Sequence, residues 1–460
     1  MKPTKLIPAA APVLLLFASC GIYTKYERPA EPLAGIDSLY RAENRPDTTR
    51  SIATLRWDEL FTDPCLQALV REGLEANTDL QTARLQVEQA QATLRQSKLA
   101  FLPSVSLSPE GSLTSFDGQK AQKTYSAGAS ASWEIDLFGK LTNAKRSARA
   151  ALLESDAYRR AVQTQVVATV ADSYYALLML DEQVRITAET ADSWKEYVRT
   201  LEALLLAGET DRATLSQARA SALAAESSLL ALQQQQAEQE NSLCAFLGRV
   251  PSPIERGTLE GQEFPQRLSV GVPLDLLSRR PDVRQAEAQL MQAFYATNSA
   301  RSAFYPSITL SGSAGWTNSG GTTITNPGAW LLQAVGSLVQ PLFGRGENLA
   351  NLRIAKAQQE QAVLQFRQSL LDAGTEVNNA LLQWQTARER RRLDTGQAEE
   401  LARTVEDTRL LMEHSSTTNY LQVLTARQSL LSARLTVVSD QYDEVQGVIN
   451  LYHALGGGAD

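Results

Sequence analysis

Histidine and cysteine are nearly absent from this sequence. Its 460 residues contain two histidines, His414 and His453, and three cysteines, Cys20, Cys65 and Cys244. A histidine metal site or a histidine-based nucleophilic triad therefore lacks its materials. No glycine-rich loop leads into a lysine and a hydroxyl residue, so a phosphate cradle is missing too. These gaps argue against an enzyme and against a resident cofactor. Beyond the N-terminal leader no stretch approaches the ~18 consecutive apolar residues of a membrane-spanning helix, which leaves a lipid anchor, a β-barrel or both as the routes to a membrane. A basic surplus is also lacking: 44 Lys and Arg stand against 51 Asp and Glu, a net charge of −7. Such a chain is a poor partner for nucleic acid.

What is present begins with export. Lys2 and Lys5 precede an apolar run from Leu6 to Phe17, then Ala18, Ser19 and Cys20. This is the pattern of a secretory signal over residues 1–19, and its end resembles the bacterial lipobox, which makes Cys20 the candidate lipidation site and residues 20–64 a lipid-anchored N-terminal segment. In an exported chain Cys65 and Cys244 are free to form a disulfide; two buried, unpaired thiols fit the sequence equally well.

The chain is one unit written twice. AFLPSVSLS at Ala100–Ser108 returns 203 residues later as AFYPSITLS at Ala303–Ser311, LFGK at Leu137 returns as LFGR at Leu342, and Arg219 with Phe246-Leu247-Gly248 returns as Arg427 with Ala454-Leu455-Gly456. The offset grows from 203 to 205 to 208. Two extra residues in a strand hairpin preserve which side chains share a face, and three in a helix add nearly one turn. The expected layout is repeat 1 over 65–250, a Pro-rich connector over 251–272, repeat 2 over 273–456 and a tail over 457–460.

Between Gly139 and Gly208 there is no glycine or proline, and Ala, Leu, Gln, Glu and Arg dominate, which predicts one helix of ~100 Å. Val170, Leu177, Val184, Ala191, Val198 and Leu205 recur every seven residues, a coiled-coil seam. Val377, Trp384, Arg391, Ala398, Val405 and Met412 repeat the ladder, broken only by Arg391. Return helices follow short turns at 208–211 and 414–419, and both return ladders turn polar at the same step, Gln236 and Glu444. Each repeat thus carries a long antiparallel helical hairpin, expected at about 140–248 and 346–455.

Pro103 and Pro306 end the preceding helices, and the residues beyond alternate apolar and polar. Four strands of ten to twelve residues are expected, within 103–138 and 306–343. Val105, Leu107, Ile308 and Leu310 share one face; Ser104, Ser106, Ser130, Ser132, Thr309 and Ser311 share the other. A soluble sheet with one wet face gives this pattern, as does a membrane strand of ~9–11 residues. Export and the tryptophans near the loop ends favour the membrane. Four strands cannot close alone, whereas three copies supply twelve. Glu110, Glu134 and Asp136 fall on the polar face as candidate lumen residues.

WDELF at Trp57–Phe61, RPDVRQAE at Arg280–Glu287 and NLYHALGGG at Asn450–Gly458, together with the duplicated proline-strand phrases, give the chain a close resemblance to the TolC and OprM-like outer membrane efflux lipoproteins. The resemblance implies a mainly helical fold with a membrane β-barrel: a homotrimer whose twelve-stranded barrel continues as a periplasmic α-barrel. It also implies a passive duct for toxic small molecules that works with an inner-membrane RND-type transporter and a periplasmic adaptor. The hairpin turns are then the candidate gate or adaptor contact, with Glu209, Asp211 and Arg212 in the first and Glu413, Thr417, Thr418, Asn419 and Tyr420 in the second. Family members often place an acidic ring at the constriction, where this chain has Thr418. A duct for type I protein secretion shares the architecture, and a lipid-tethered coiled-coil scaffold is the alternative of another class. RPDVRQAE itself reads as a helix start with structural ion pairs, Pro281 suiting the first turn.

Overall fold

A computed structural model describes residues 24–29, 39, 52–262, 280–318, 330–414 and 420–458. The described helices are α1 (Trp57–Leu60), α2 (Pro64–Ala76), α3 (Thr78–Leu99), α4 (Lys140–Ala207), α5 (Arg212–Phe246), α6 (Pro281–Ser302), α7 (Glu347–His414) and α8 (Tyr420–Ala454). The strands are β1 (Ser104–Thr114), β2 (Gln122–Ile135), β3 (Ser307–Asn318) and β4 (Trp330–Val339). The duplication is visible in the lengths. Helices α4 and α7 each have 68 residues, and α5 and α8 each have 35.

The helix ends follow from local chemistry. Gly139 and Gly346, at φ 73° and 81°, precede α4 and α7, and each carbonyl accepts the first intrahelical bond, from Asn143 and Ala350. Gly248 and Gly456 stop α5 and α8 in the left-handed region at 74° and 81°, a conformation that costs glycine nothing. The LFG phrases are therefore not equivalent in space. Gly139 lies inside its phrase, but Gly346 lies two residues beyond its own, so α7 starts at an offset of 207 and not 205.

The strands form one antiparallel sheet in the order β1-β2-β3-β4. Ser104 pairs with Ser132 in the first hairpin and Ser307 with Val339 in the second. The register between hairpins thus differs by four residues, again an even number, and the faces survive. Strand β4 ends at Val339, short of the expected limit at 343, because Pro341 has no N–H to give a ladder. Cys65 and Cys244 are both free thiols, and Cys244 Sγ donates to the Ser252 carbonyl at 3.3 Å.

The chain divides into two compact units. The first holds the sheet and is built from Gln86–Asp156 and Gln285–Arg367 with residues 24–29. Here Thr297 of α6 donates to the Ala355 carbonyl of α7 at 3.1 Å, Gln289 donates to Glu154 of α4 at 2.8 Å, and Arg28 pairs with Glu287 at 2.7 Å. The second unit comprises Gly35–Leu85, Ala157–Arg284 and Gln368–Asp460. Phe61, Leu66, Val170, Tyr174, Tyr175, Leu177 and Leu247 are buried at its centre.

Residues 251–262 of the connector, and Leu39 with residues 52–64 of the N-terminal segment, belong to this second unit. Arg256 pairs with Asp181 of α4 at 2.6 Å and with Glu240 of α5. Tyr174 donates to Asp63, the N-cap of α2, at 2.6 Å, while Gln262 donates to the same carboxylate oxygen. Asn378 of α7 donates to the Leu39 carbonyl at 2.8 Å. Arg280, 4% exposed, binds Asp282 at 2.6 Å, Glu376 at 2.7 Å and the Ala454 carbonyl at 2.8 Å, so RPDVRQAE is the structural helix start that its sequence indicates. Replacing Arg280 by methionine is expected to destabilise the unit by about 3 kcal/mol, the low end for a broken buried pair because both carboxylates reach water. Denaturant unfolding followed by circular dichroism checks this.

Candidate functional site: a two-faced sheet and the hairpin ends

The strand register sorts every described sheet residue onto one of two faces. One face carries the rows Ser106–Ser130–Ser313–Gln333 and Ser104–Ser132–Ser311–Val335, and the other carries Val105–Ala131–Gly312–Ala334 and Leu107–Ala129–Ala314–Leu332. On the polar face Ser106 and Ser130 share a hydroxyl hydrogen bond of 2.7 Å, and Ser112 and Thr124 share another. The apolar face is open: Val105, Leu107 and Leu332 are 73%, 75% and 77% exposed. Small residues let the strands approach closely, since a Cβ on Gly315 would lie 2.7 Å from the Gly128 Cα.

Of the three acidic candidates, Glu110 faces Ser126 across the polar face. Glu134 lies opposite Thr309 and pairs with Lys140 at 2.8 Å. Asp136 lies one residue past β2, where it accepts from the backbone N–H of Leu141 and Thr142 and from the Thr142 hydroxyl. A carboxylate at a helix start answers unpaired N–H groups and the helix dipole, and this local use of Asp136 was not legible from strand alternation.

At the first hairpin turn Gly208 takes φ 79° and Asp211 caps α5, accepting from Thr214 N–H at 2.9 Å. Those bonds hold the Asp211 carboxyl below its ordinary range. Arg212 opens α5, and Glu209 N–H donates to the Leu204 carbonyl. In the second turn Glu413 falls in the last turn of α7 and Tyr420 opens α8; Thr417, Thr418 and Asn419 lie outside the described residues, as does Cys20. Near the first turn, Trp194, Tyr197, Leu201, Leu215, Ala218 and Ala222 form a buried cluster that includes Val423 and Leu424 of α8. The two hairpins are thus packed on each other there.

Polar residues inside the seams are paired. Arg391, the one break in the second ladder, meets the polar step of the return helix in a 2.8 Å ion pair with Glu444. Gln236, the polar step of the first hairpin, donates to Asp181. Missed at the sequence level is Asp440, fully buried on α8, with Arg390 at 2.6 Å and Asp394 beside it. The equivalent positions of the first hairpin are Thr187 and Leu232, so periodicity alone gave no sign of a carboxyl pair. Burial, then the neighbouring Asp394, raises the Asp440 carboxyl to about 6. Despite Arg390, the fold favours the neutral carboxyl more than the unfolded chain does, so this contribution is complete below about pH 4 and is lost as pH rises through about 6. Asp440→Asn is expected to unfold at a higher temperature than the parent at pH 7.5 and at a similar one at pH 4.5, read by thermal melts at both values.

A chain that carries a two-faced four-stranded sheet and two long helical hairpins fits the class of outer membrane channel subunits. The Outer membrane efflux protein family matches twice, over residues 69–249 and 272–457, and the chain belongs to that family. It is 30% identical to the "Cation efflux system protein CusC" of Escherichia coli strain K12, over the full length of both chains. It is also 30% identical to the "Probable outer membrane lipoprotein SilC" of Salmonella typhimurium, over 97% of each. The crystal structure of the open state of the Neisseria gonorrhoeae MtrE outer membrane channel superposes with a TM-score of 0.81 at 27% identity, over 95% of this chain and 98% of that one.

Proposed function

We propose that three copies close a twelve-stranded barrel and form the exit duct of a tripartite pump, through which small toxic molecules pass passively from periplasm to exterior. The observation that carries this reading is the open sheet. Among the described residues β1 and β4 pair only inward, and the face of Val105, Leu107 and Leu332 has no cover. Lipid tolerates neither bare edge, because each unpaired backbone group costs several kcal/mol there. Pairing β4 of one copy with β1 of the next removes both edges and turns the apolar face to lipid and the Ser/Thr face to water. Leu371, Leu382 and Leu393, exposed at eleven-residue spacing on α7, offer a second surface for a neighbouring copy.

The helical hairpins then form the periplasmic tunnel, with their turns as the gated end. Glu209, Asp211, Arg212, Glu413, Thr417, Thr418, Asn419 and Tyr420 are the residues that meet the gate or a periplasmic adaptor, and an inner-membrane RND-type transporter supplies the energy. Adaptor binding favours the open arrangement of the hairpins. Cys20 carries the lipid anchor. Purified protein in a planar lipid bilayer is expected to conduct ions in discrete steps; a detergent-purified protein that inserts but stays silent, even with both turns deleted, contradicts the duct.

A further inference from the structure

The two hairpins differ at one pair of equivalent positions. In the first, Arg219 of α5 donates to Glu202 of α4 at 2.6 Å. In the second the arginine is kept as Arg427, while the position equivalent to Glu202 is Arg409. Arg409 is paired with Glu406 of its own helix at 2.7 Å. Arg427 therefore has a second cation where its counterpart has a carboxylate, and it turns toward the other hairpin. Its guanidinium lies 4.9 Å from the Tyr197 ring centre and 5.9 Å from that of Trp194, and it donates to the Ser193 hydroxyl at 2.9 Å. Burial pushes this guanidinium below its ordinary value.

Two donors remain without partners. Neither Arg427 Nε nor Trp194 Nε1 has a hydrogen bond, although Trp194 is 1% exposed. An unpaired buried N–H has given up its water partner and gained none in return. Both residues line a single cavity of about 160 Å³, room for about five water molecules. Arg434 also lines it, and Leu430 and Leu431 supply an apolar wall. Glu189, the one acid on the rim, is paired with Arg185 at 2.6 Å. The cavity therefore sets two arginines against one paired carboxylate, with the Ser193 and Thr190 hydroxyls as neutral acceptors and Glu196 acting on Arg427 from nearby, and is partly apolar.

We propose that it binds a small organic carboxylate, which takes the unpartnered N–H groups of Arg427 and Trp194 and lays its apolar part against Leu430 and Leu431. The carboxylate supplies what Glu202 supplies to Arg219, from a ligand and not from the chain. Because Arg427 belongs to α8 and Trp194 to α4, an occupied cavity ties one hairpin to the other.

Sodium benzoate, of a size to fit the cavity, is the probe. Titrated into the full-length protein in detergent against sodium chloride at matched ionic strength, it is expected to raise the unfolding temperature saturably. Arg427→Gln and Trp194→Phe should each weaken it at least tenfold, while Arg219→Gln, at the mirror position, should leave it unchanged. Trp194→Phe keeps an aromatic ring without the N–H and so carries the test if Arg427→Gln does not fold. A benzoate response no different from chloride, or one that survives in Trp194→Phe with the parent's affinity, overturns the proposal.

Discussion

Leu107→Arg is expected to abolish assembly of the protein in the outer membrane, while Ser108→Lys, its neighbour on β1, leaves assembly intact. Leu107 stands in the row that continues through Ala129, Ala314 and Leu332, the face that meets lipid in the closed barrel. An arginine at the middle of a barrel wall costs about 2–4 kcal/mol per copy, and three copies bear it together. Ser108 points to the opposite face, where it lies across from Gly128 and a lysine has both room and water. Both variants change one strand by one charge, so only the facing separates them. Membrane fractionation followed by native electrophoresis reads the result, and equal tolerance of the two would mean that the faces are assigned wrongly or that the sheet never meets lipid.

Gly447→Leu should be the most destabilising single change in the second hairpin. A Cβ at Gly447 would fall 2.8 Å from the Trp384 Cα and 2.9 Å from its backbone nitrogen, closer than real Cβ contacts come. The obstruction is backbone, which cannot turn aside as a side chain can, so α8 must move off α7 along the seam. Overpacking of this kind costs at least about 3 kcal/mol. Gly396→Ala on α7, with nothing within 4 Å of the added carbon, is the opposite case and should stabilise by about 1 kcal/mol through helix propensity. Thermal melts of the two variants in detergent are expected to move in opposite directions from the parent. A Gly447→Leu protein that melts with the parent would mean that the hairpin does not pack as described.

Much of the architecture was legible because it rests on periodicity and punctuation. Sixty-eight residues without glycine or proline must be helix, and Gly248 and Gly456 mark helix ends because the left-handed conformation there suits glycine. Alternation assigned the sheet faces before any pairing was known. What escaped depends on contacts between distant segments. The helix start near 346 was legible, but the match at LFGR carried no sign that Gly346, and not the glycine inside the phrase, takes the positive φ. Asp136 continues the alternation as a candidate lumen acid, but strand alternation gave no sign that it also accepts the first N–H groups of α4, which starts four residues on. Arg391 looked like a defect in a ladder until Glu444 was found opposite. Asp440 and Arg427 lie on faces whose first-hairpin equivalents are an apolar residue and a paired arginine, so the duplication itself disguised them.

Native mass spectrometry of the full-length protein in mild detergent bears most directly on the duct. A trimer is expected, with each subunit lacking residues 1–19 and carrying a lipid on Cys20. A monomer or dimer that stays soluble once the lipid is removed would contradict it, because the open edges of β1 and β4 would then have no partner.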